Sequence, residues 1–167
     1  MFQKGDYVVY GNLGVCKVNG LTTRKFEGLE EAHSYYVLEP VYQGGVLYVP
    51  ADNPKIFLRA ILSREEADAL IAALPNATGK AFHSRSAQEL SAHYEDVLKS
   101  HRCEDLAEVI ASIYHKKQDL SRQNKKLGRV DDHFMRQAED TLYGELAVAL
   151  GIPRESVPDY IASKLEG

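Results

Sequence analysis

Residues 1–20, MFQKGDYVVYGNLGVCKVNG, hold two extended segments separated by a reversal. Tyr7-Val8-Val9-Tyr10 and Val15-Cys16-Lys17-Val18 are rich in β-branched and aromatic side chains, which fit a pleated, half-buried surface. Between them, Gly11-Asn12-Leu13-Gly14 supplies residues that tolerate positive φ, the backbone state a tight reversal needs. Gly5-Asp6 predicts a further turn ahead of the first strand. The stretch reads as an antiparallel strand pair, so the chain opens as a β domain.

The following segments extend that pattern. Thr22-Thr23-Arg24-Lys25-Phe26 continues or follows the second strand, and Glu27-Gly28-Leu29-Glu30-Glu31 turns the chain. Ser34 to Leu38 forms a third strand, closed by Pro40. Gln43-Gly44-Gly45 is a turn, and Val46 to Val49 a fourth strand. Ala51-Asp52-Asn53-Pro54 is a polar exit, after which Ile56-Phe57-Leu58 is expected to pack back on the barrel. Short strands at this density over residues 1–60 predict a small SH3-like or Tudor-like β-barrel, a type that serves docking more often than catalysis.

After residue 60 the period changes from two to helical spacing. Ser63-Arg64-Glu65-Glu66 is a capping box that opens a helix through Leu70, Ile71 and Leu74, stopped by Pro75. Residues 75–85 read as a linker carrying one aromatic, Phe82. Ser86 and Glu89 form a second capping box, followed by Leu90, Tyr94, Val97 and Leu98 at helical spacing. Glu104 and Asp105 start the next helix and His115-Lys116-Lys117 end it, each charge suiting the helix dipole, with Leu106, Val109, Ile110 and Ile113 as its buried stripe. Ser121 begins another helical stretch that Gly128 bends or breaks. Val130, Phe134, Ala138, Leu142 and Leu146 mark a core-facing stripe, ended near Gly151, and Pro158 opens a short last helix through Tyr160, Ile161 and Leu165. The predicted class is α+β: a small β-barrel over residues 1–60, then an all-α helical bundle over residues 61–167.

Composition narrows the function. With 44% hydrophobic and 26% charged residues among 167, the chain is of ordinary globular type. No apolar run approaches the ~20 residues that span a bilayer. The opening residues lack the basic and apolar regions of a signal peptide, so the expectation is a cytoplasmic protein with no membrane partner. Cys16 and Cys103 show no metal-ligand spacing and read as a strand thiol and a helix-start thiol. Neither a nucleophile elbow, a phosphate loop, a dinucleotide fingerprint nor a zinc-protease motif is present. Asp131-Asp132-His133 reads as an acidic helix start with a solvated His before it reads as a metal site. No catalytic residue, metal, cofactor or small-molecule substrate is therefore predicted, and a small hydrolase or metal enzyme is the least favoured reading. The net charge of −4 argues against coating nucleic acid by bulk attraction. A local basic run, Lys116, Lys117, Arg122, Lys125, Lys126 and Arg129, is interrupted only by Asp119. It reads either as a weak phosphate-contacting patch or as a solvated helix face.

The Gly5–Tyr10 and Gly14–Val18 segments, with Leu47-Tyr48-Val49-Pro50, Leu106–Ile110 and Gly144–Ala147 in order downstream, resemble the CarD/CdnL family of bacterial transcription regulators. A similar module occurs in transcription-repair coupling factor. The likeness covers residues 1–60 well and 87–150 moderately. It implies an N-terminal domain that binds the RNA polymerase β subunit and a helical domain that contacts promoter DNA near the upstream edge of the bubble, stabilising the open complex. Arg24 falls on the family's basic β-subunit contact, and Tyr48 stands where the family frequently has Arg. The family's minor-groove Trp has no counterpart, because this chain contains no Trp. Ala87 falls near its position and the nearest aromatic is Phe82, which the resemblance offers as an apolar wedge and which could equally pack on the bundle. The family also has basic residues around the helix junction occupied here by the Lys116–Arg129 run. The alternative is a protein-interaction adaptor that docks on polymerase or another partner without binding DNA.

Overall fold

Val8 and Val9 are both buried in β1 (Tyr7–Tyr10), an inner strand with a neighbour on each side. The computed structural model describes residues 2–24, 28, 32–52, 57–74 and 82–166. Two compact units divide the chain, Met1–Leu62 and Ser63–Gly167. In the first, β2 (Gly14–Arg24), β3 (His33–Pro40), β4 (Leu47–Pro50) and β5 (Leu58–Ala60) join β1 in an antiparallel sheet of order β4-β3-β2-β1-β5. The ladders show an antiparallel sheet with β4 and β5 at its edges; none among the described residues closes it into a barrel. The expected Gly/Asn turn is a single turn of 3-10 helix, Gly11–Leu13. Gly11 and Gly14 bracket it at φ 45 and 91, values that a side chain bearing a Cβ rarely adopts.

Period-two alternation places Cys16 and Val18 of β2, Tyr36 and Leu38 of β3, and Val49 of β4 on one face with Val8. Phe2 closes the end of this core, its ring edge-on to Tyr36 at 5.8 Å. Asn19 breaks the alternation: the β2–β3 register shifts between Val18 and Gly20. The bulge turns the Asn19 amide to the Glu39 carboxylate, to which it donates at 3.0 Å. Val46, expected to start the fourth strand, lies before β4 and is exposed.

The helical unit comprises α1 (Arg64–Ala73), α2 (Ala87–Leu98), α3 (Cys103–Arg122), α4 (Arg129–Leu150) and α5 (Val157–Glu166). The α1 capping box is complete: the Glu66 amide donates to the Ser63 hydroxyl and the Ser63 amide to the Glu66 carboxylate, both at 3.0 Å. The second box is only half made. The Glu89 amide reaches the Ser86 hydroxyl, but Ser84 intervenes, accepting from the Ser86 amide and donating to the Glu89 carboxylate. α3 does not stop at His115-Lys116-Lys117 but continues to Arg122, so Ser121 lies in its last turn rather than opening a new helix. Basic residues favour a helix end without forcing one, and the chain turns only at Asn124, where φ is 58. Gly128 then caps α4 instead of bending it. Gly151, at φ 70, ends α4 in the left-handed C-terminal motif.

α4 touches each of the other four helices and so forms the spine of the unit. Phe134, Ala138, Leu142 and Leu146 are buried along it, whereas Val130 is only partly covered. Arg64 donates to the Leu150 carbonyl at 3.2 Å and the Tyr160 hydroxyl to Asp68 at 2.7 Å, tying α1 to the end of α4 and to α5. Among the described residues no helix is long and apolar enough to cross a membrane. Several sequence expectations lie outside the described residues: Lys25 and Phe26 as continuing strand, the Glu27 and Leu29–Glu31 turn, Asn53, Pro54 and Ile56, the Pro75 helix stop, linker residues 75–81, and the side chain of Leu165.

Candidate functional site

On the sheet, the face opposite the core carries both residues that the sequence offers for polymerase. The ladders place Arg24 opposite His33, and Tyr48 opposite Val37. Counting outward along β3, His33, Tyr35 and Val37 share that face, so Arg24 and Tyr48 project from the same side of neighbouring strands. The structure brings the two together: the Arg24 guanidinium lies over the Tyr48 ring, 4.6 Å from its centre. A cation held over an aromatic face is worth about 0.5–1 kcal/mol at an exposed site. Its larger consequence is geometric, because it orders a long side chain on an exposed surface beside the edge strand β4.

The six basic residues of the α3–α4 junction do not behave as one group. Lys117, Arg122, Lys125, Lys126 and Arg129 are exposed. Lys116 departs from the phosphate-contact expectation: it is 9% exposed, and its ammonium pairs with the Asp131 carboxylate at 2.8 Å. The same ammonium donates to the Phe82 carbonyl at 3.1 Å. Arg122 has Asp119 at 3.6 Å on the preceding turn. Burial, then the negative charge of Asp140, raise the Glu139 carboxyl pKa, and the nearby Lys117 only partly offsets them.

Asp131 anchors a buried polar network that sequence reading misses. One carboxylate oxygen takes the Lys116 ammonium; the other accepts from the Tyr94 hydroxyl at 2.5 Å. Three helices thus meet on one carboxylate, which also sits in the first turn of α4, where the helix dipole favours negative charge. Burial, then the hydrogen bond to Asp131 and that residue's negative charge, push the Tyr94 hydroxyl well above the ordinary tyrosine range. The signal was present in the spacing. Lys116 lies three residues after Ile113 and seven after Val109, and Asp131 three before Phe134 and seven before Ala138. Both therefore fall on buried faces, which charge alone concealed. The acidic helix start that the sequence suggests is present, with His133 exposed, but Asp131 itself is turned inward.

Phe82 is half-buried, and its ring stacks on His93 of α2 at 4.0 Å with an interplanar angle of 10°. With its carbonyl held by Lys116, the residue is docked on the helical unit. One face of the ring is therefore covered by His93. The two cysteines are both buried; Cys103, at the start of α3, donates to Glu145 of α4 at 3.2 Å. Burial raises the pKa of the Cys16 thiol, which leaves it less reactive.

The sequence profile of the CarD-like/TRCF RID domain matches residues 2–62. The matched region covers the sheet unit and ends where that unit ends. No curated protein matches the chain.

Proposed function

We propose, from the premise that residues 2–62 are a CarD-like/TRCF RID domain, that this chain is a CarD-like transcription regulator. RID domains are RNA polymerase-interacting domains, and the partner assigned here is the polymerase β subunit. The observation that carries the reading is the family match across the whole sheet unit. The ordered Arg24–Tyr48 pair supports it, since aromatic and arginine side chains are the usual anchors of protein interfaces. The strand order, with β5 returning to pair with β1, supports an SH3/Tudor-like reading of the sheet. In the same proposal, Lys117, Arg122, Lys125, Lys126 and Arg129 contact promoter DNA near the upstream edge of the bubble, and the complex stabilises the open promoter. This requires no catalysis, because a protein that binds the open state more tightly shifts the equilibrium by that difference in affinity.

The test uses the full chain and the isolated β subunit. Arg24→Glu should weaken binding by roughly tenfold or more, because like charges brought together at an interface cost several kcal/mol. Full affinity in the folded variant would refute the assignment of this face. One observation favours the adaptor as second reading: all of the net negative charge lies in residues 63–167, where 18 Asp and Glu outnumber 14 Lys and Arg. Absence of any duplex binding at low salt would select the adaptor.

A further inference from the structure

Among the described residues of the helical unit, Tyr114 stands out as a large aromatic left 49% exposed. It lies on α3 where the helix changes sign. Glu104, Asp105 and Glu108 occupy the first half, whereas the second half holds the exposed Lys117 and Arg122, the buried Lys116 and a single carboxylate, Asp119, which pairs with Arg122. Helical spacing puts Lys117, Gln118, Ser121 and Arg122 on the Tyr114 face, and all four are exposed. The Gln118 amide donates to the Tyr114 hydroxyl at 3.0 Å, which ties the ring to the basic half of the helix. The exposed cations Lys125, Lys126 and Arg129 continue the surface, and no carboxylate occurs from residue 120 to residue 130.

We propose that this face of α3 is a nucleic-acid surface on which Tyr114 stacks a base, so that its preferred ligand carries unpaired bases: a single strand or a duplex–single-strand junction. The inference rests on the DNA-contacting reading above and names the ligand of that surface. A lone exposed Tyr is ordinary on a protein surface. A Tyr oriented among phosphate-binding cations is the combination that holds single strands, because every base has a face to stack and every nucleotide a phosphate to pair. Intact duplex offers no such face, since its bases are already stacked on one another. From Tyr114 to Arg122 the helix advances about 12 Å, the length of three or four nucleotides at a rise of ~3.4 Å. One aromatic platform and several phosphate contacts therefore fit within a short oligonucleotide.

The experiment measures fluorescence anisotropy with the full chain at low salt, using a labelled single strand of about 12 nucleotides and a duplex of the same sequence. Tyr114→Ala should lower affinity for the single strand on the order of tenfold and leave duplex affinity nearly unchanged. Tyr114→Phe should behave as the parent, because stacking needs the ring and not the hydroxyl. Lys125→Glu combined with Lys126→Glu should weaken both ligands. If the parent binds DNA and Tyr114→Ala, folded by circular dichroism, changes neither ligand or both equally, the stacking role is overturned while the DNA-contacting reading stands. If the parent binds neither ligand at low salt, that reading falls and this inference falls with it.

Discussion

Removing the Lys116 ammonium should destabilise the helical unit far more than removing any exposed cation of the same run. In Lys116→Met the aliphatic stem is largely kept, so the change isolates the charge. The Asp131 side chain is only 4% exposed and its Lys116 partner 11%, so neither charge is well screened by water. Leaving one buried charge without its partner costs about 3–5 kcal/mol. Tyr94 still donates to the carboxylate, and the α4 dipole still favours it, so the lower end of that range is expected. The Phe82 carbonyl also loses its donor, a further loss of the order of 1 kcal/mol. Exposed Lys125→Ala, by contrast, should stay within about 0.5 kcal/mol. Urea denaturation of the full chain, followed by far-ultraviolet circular dichroism, gives both differences from the helical transition. The double variant Lys116→Met/Asp131→Leu should lose much less than the sum of its parts, since no orphaned charge remains. A Lys116→Met protein within 0.5 kcal/mol of the parent would refute the buried network.

Two further outcomes follow from the same geometry. Tyr94 is held protonated well above its ordinary range, so its contribution to stability is complete below the unfolded tyrosine pKa of about 10 and is lost as pH rises beyond it. Tyr94→Phe should therefore be less stable at neutral pH by about 1–3 kcal/mol, with its stability curve converging on the parent's in strong alkali; parallel curves in urea titrations across that range would contradict the assignment. On the DNA side, Lys125→Glu with Lys126→Glu should flatten the slope of log K against log salt by about one to two units, read from anisotropy over a salt series. An unchanged slope returns the run to a solvated helix face.

The strands were legible because their pattern is nearly local. Val18, Leu38 and Val49 alternate with less buried neighbours, Val8-Val9 and Val15-Cys16 are short β-branched and apolar runs, and the turn residues between the strands announce the reversals. The Asn19 bulge was not legible, since a register shift depends on which partner strand arrives opposite. Helix starts with a Ser and a Glu three apart were found, but Ser84 altered the second by offering a closer partner. The end of α3 lies beyond its sequence expectation for a related reason. Lys116 reads as a helix-ending cation because its counter-charge lies fifteen residues ahead on another helix, beyond any local window. The candidate polymerase face was half visible. Arg24 and Tyr48 could each be named from the resemblance, but only the β2-β3-β4 ladders place one over the other.

Burial of Lys116 also changes what the basic run is able to do. The sequence counts six cations at the junction; the fold withdraws one into an ion pair, compensates Arg122 with Asp119, and sets Lys117 near Glu139. Lys125, Lys126 and Arg129 are left as the cations with no carboxylate within the surrounding loop sequence. Three such contacts give a modest, salt-sensitive affinity, since each neutralised phosphate contributes close to one unit of slope and little more. On the proposed reading, weakness is useful. A helical unit that bound any duplex tightly would be held on the bulk of the chromosome. One that binds weakly acts only where the sheet unit, docked on polymerase, raises its effective concentration beside the promoter. Specificity then comes from the protein partner, while the basic loop and the Tyr114 face supply position and a preference for unpaired bases.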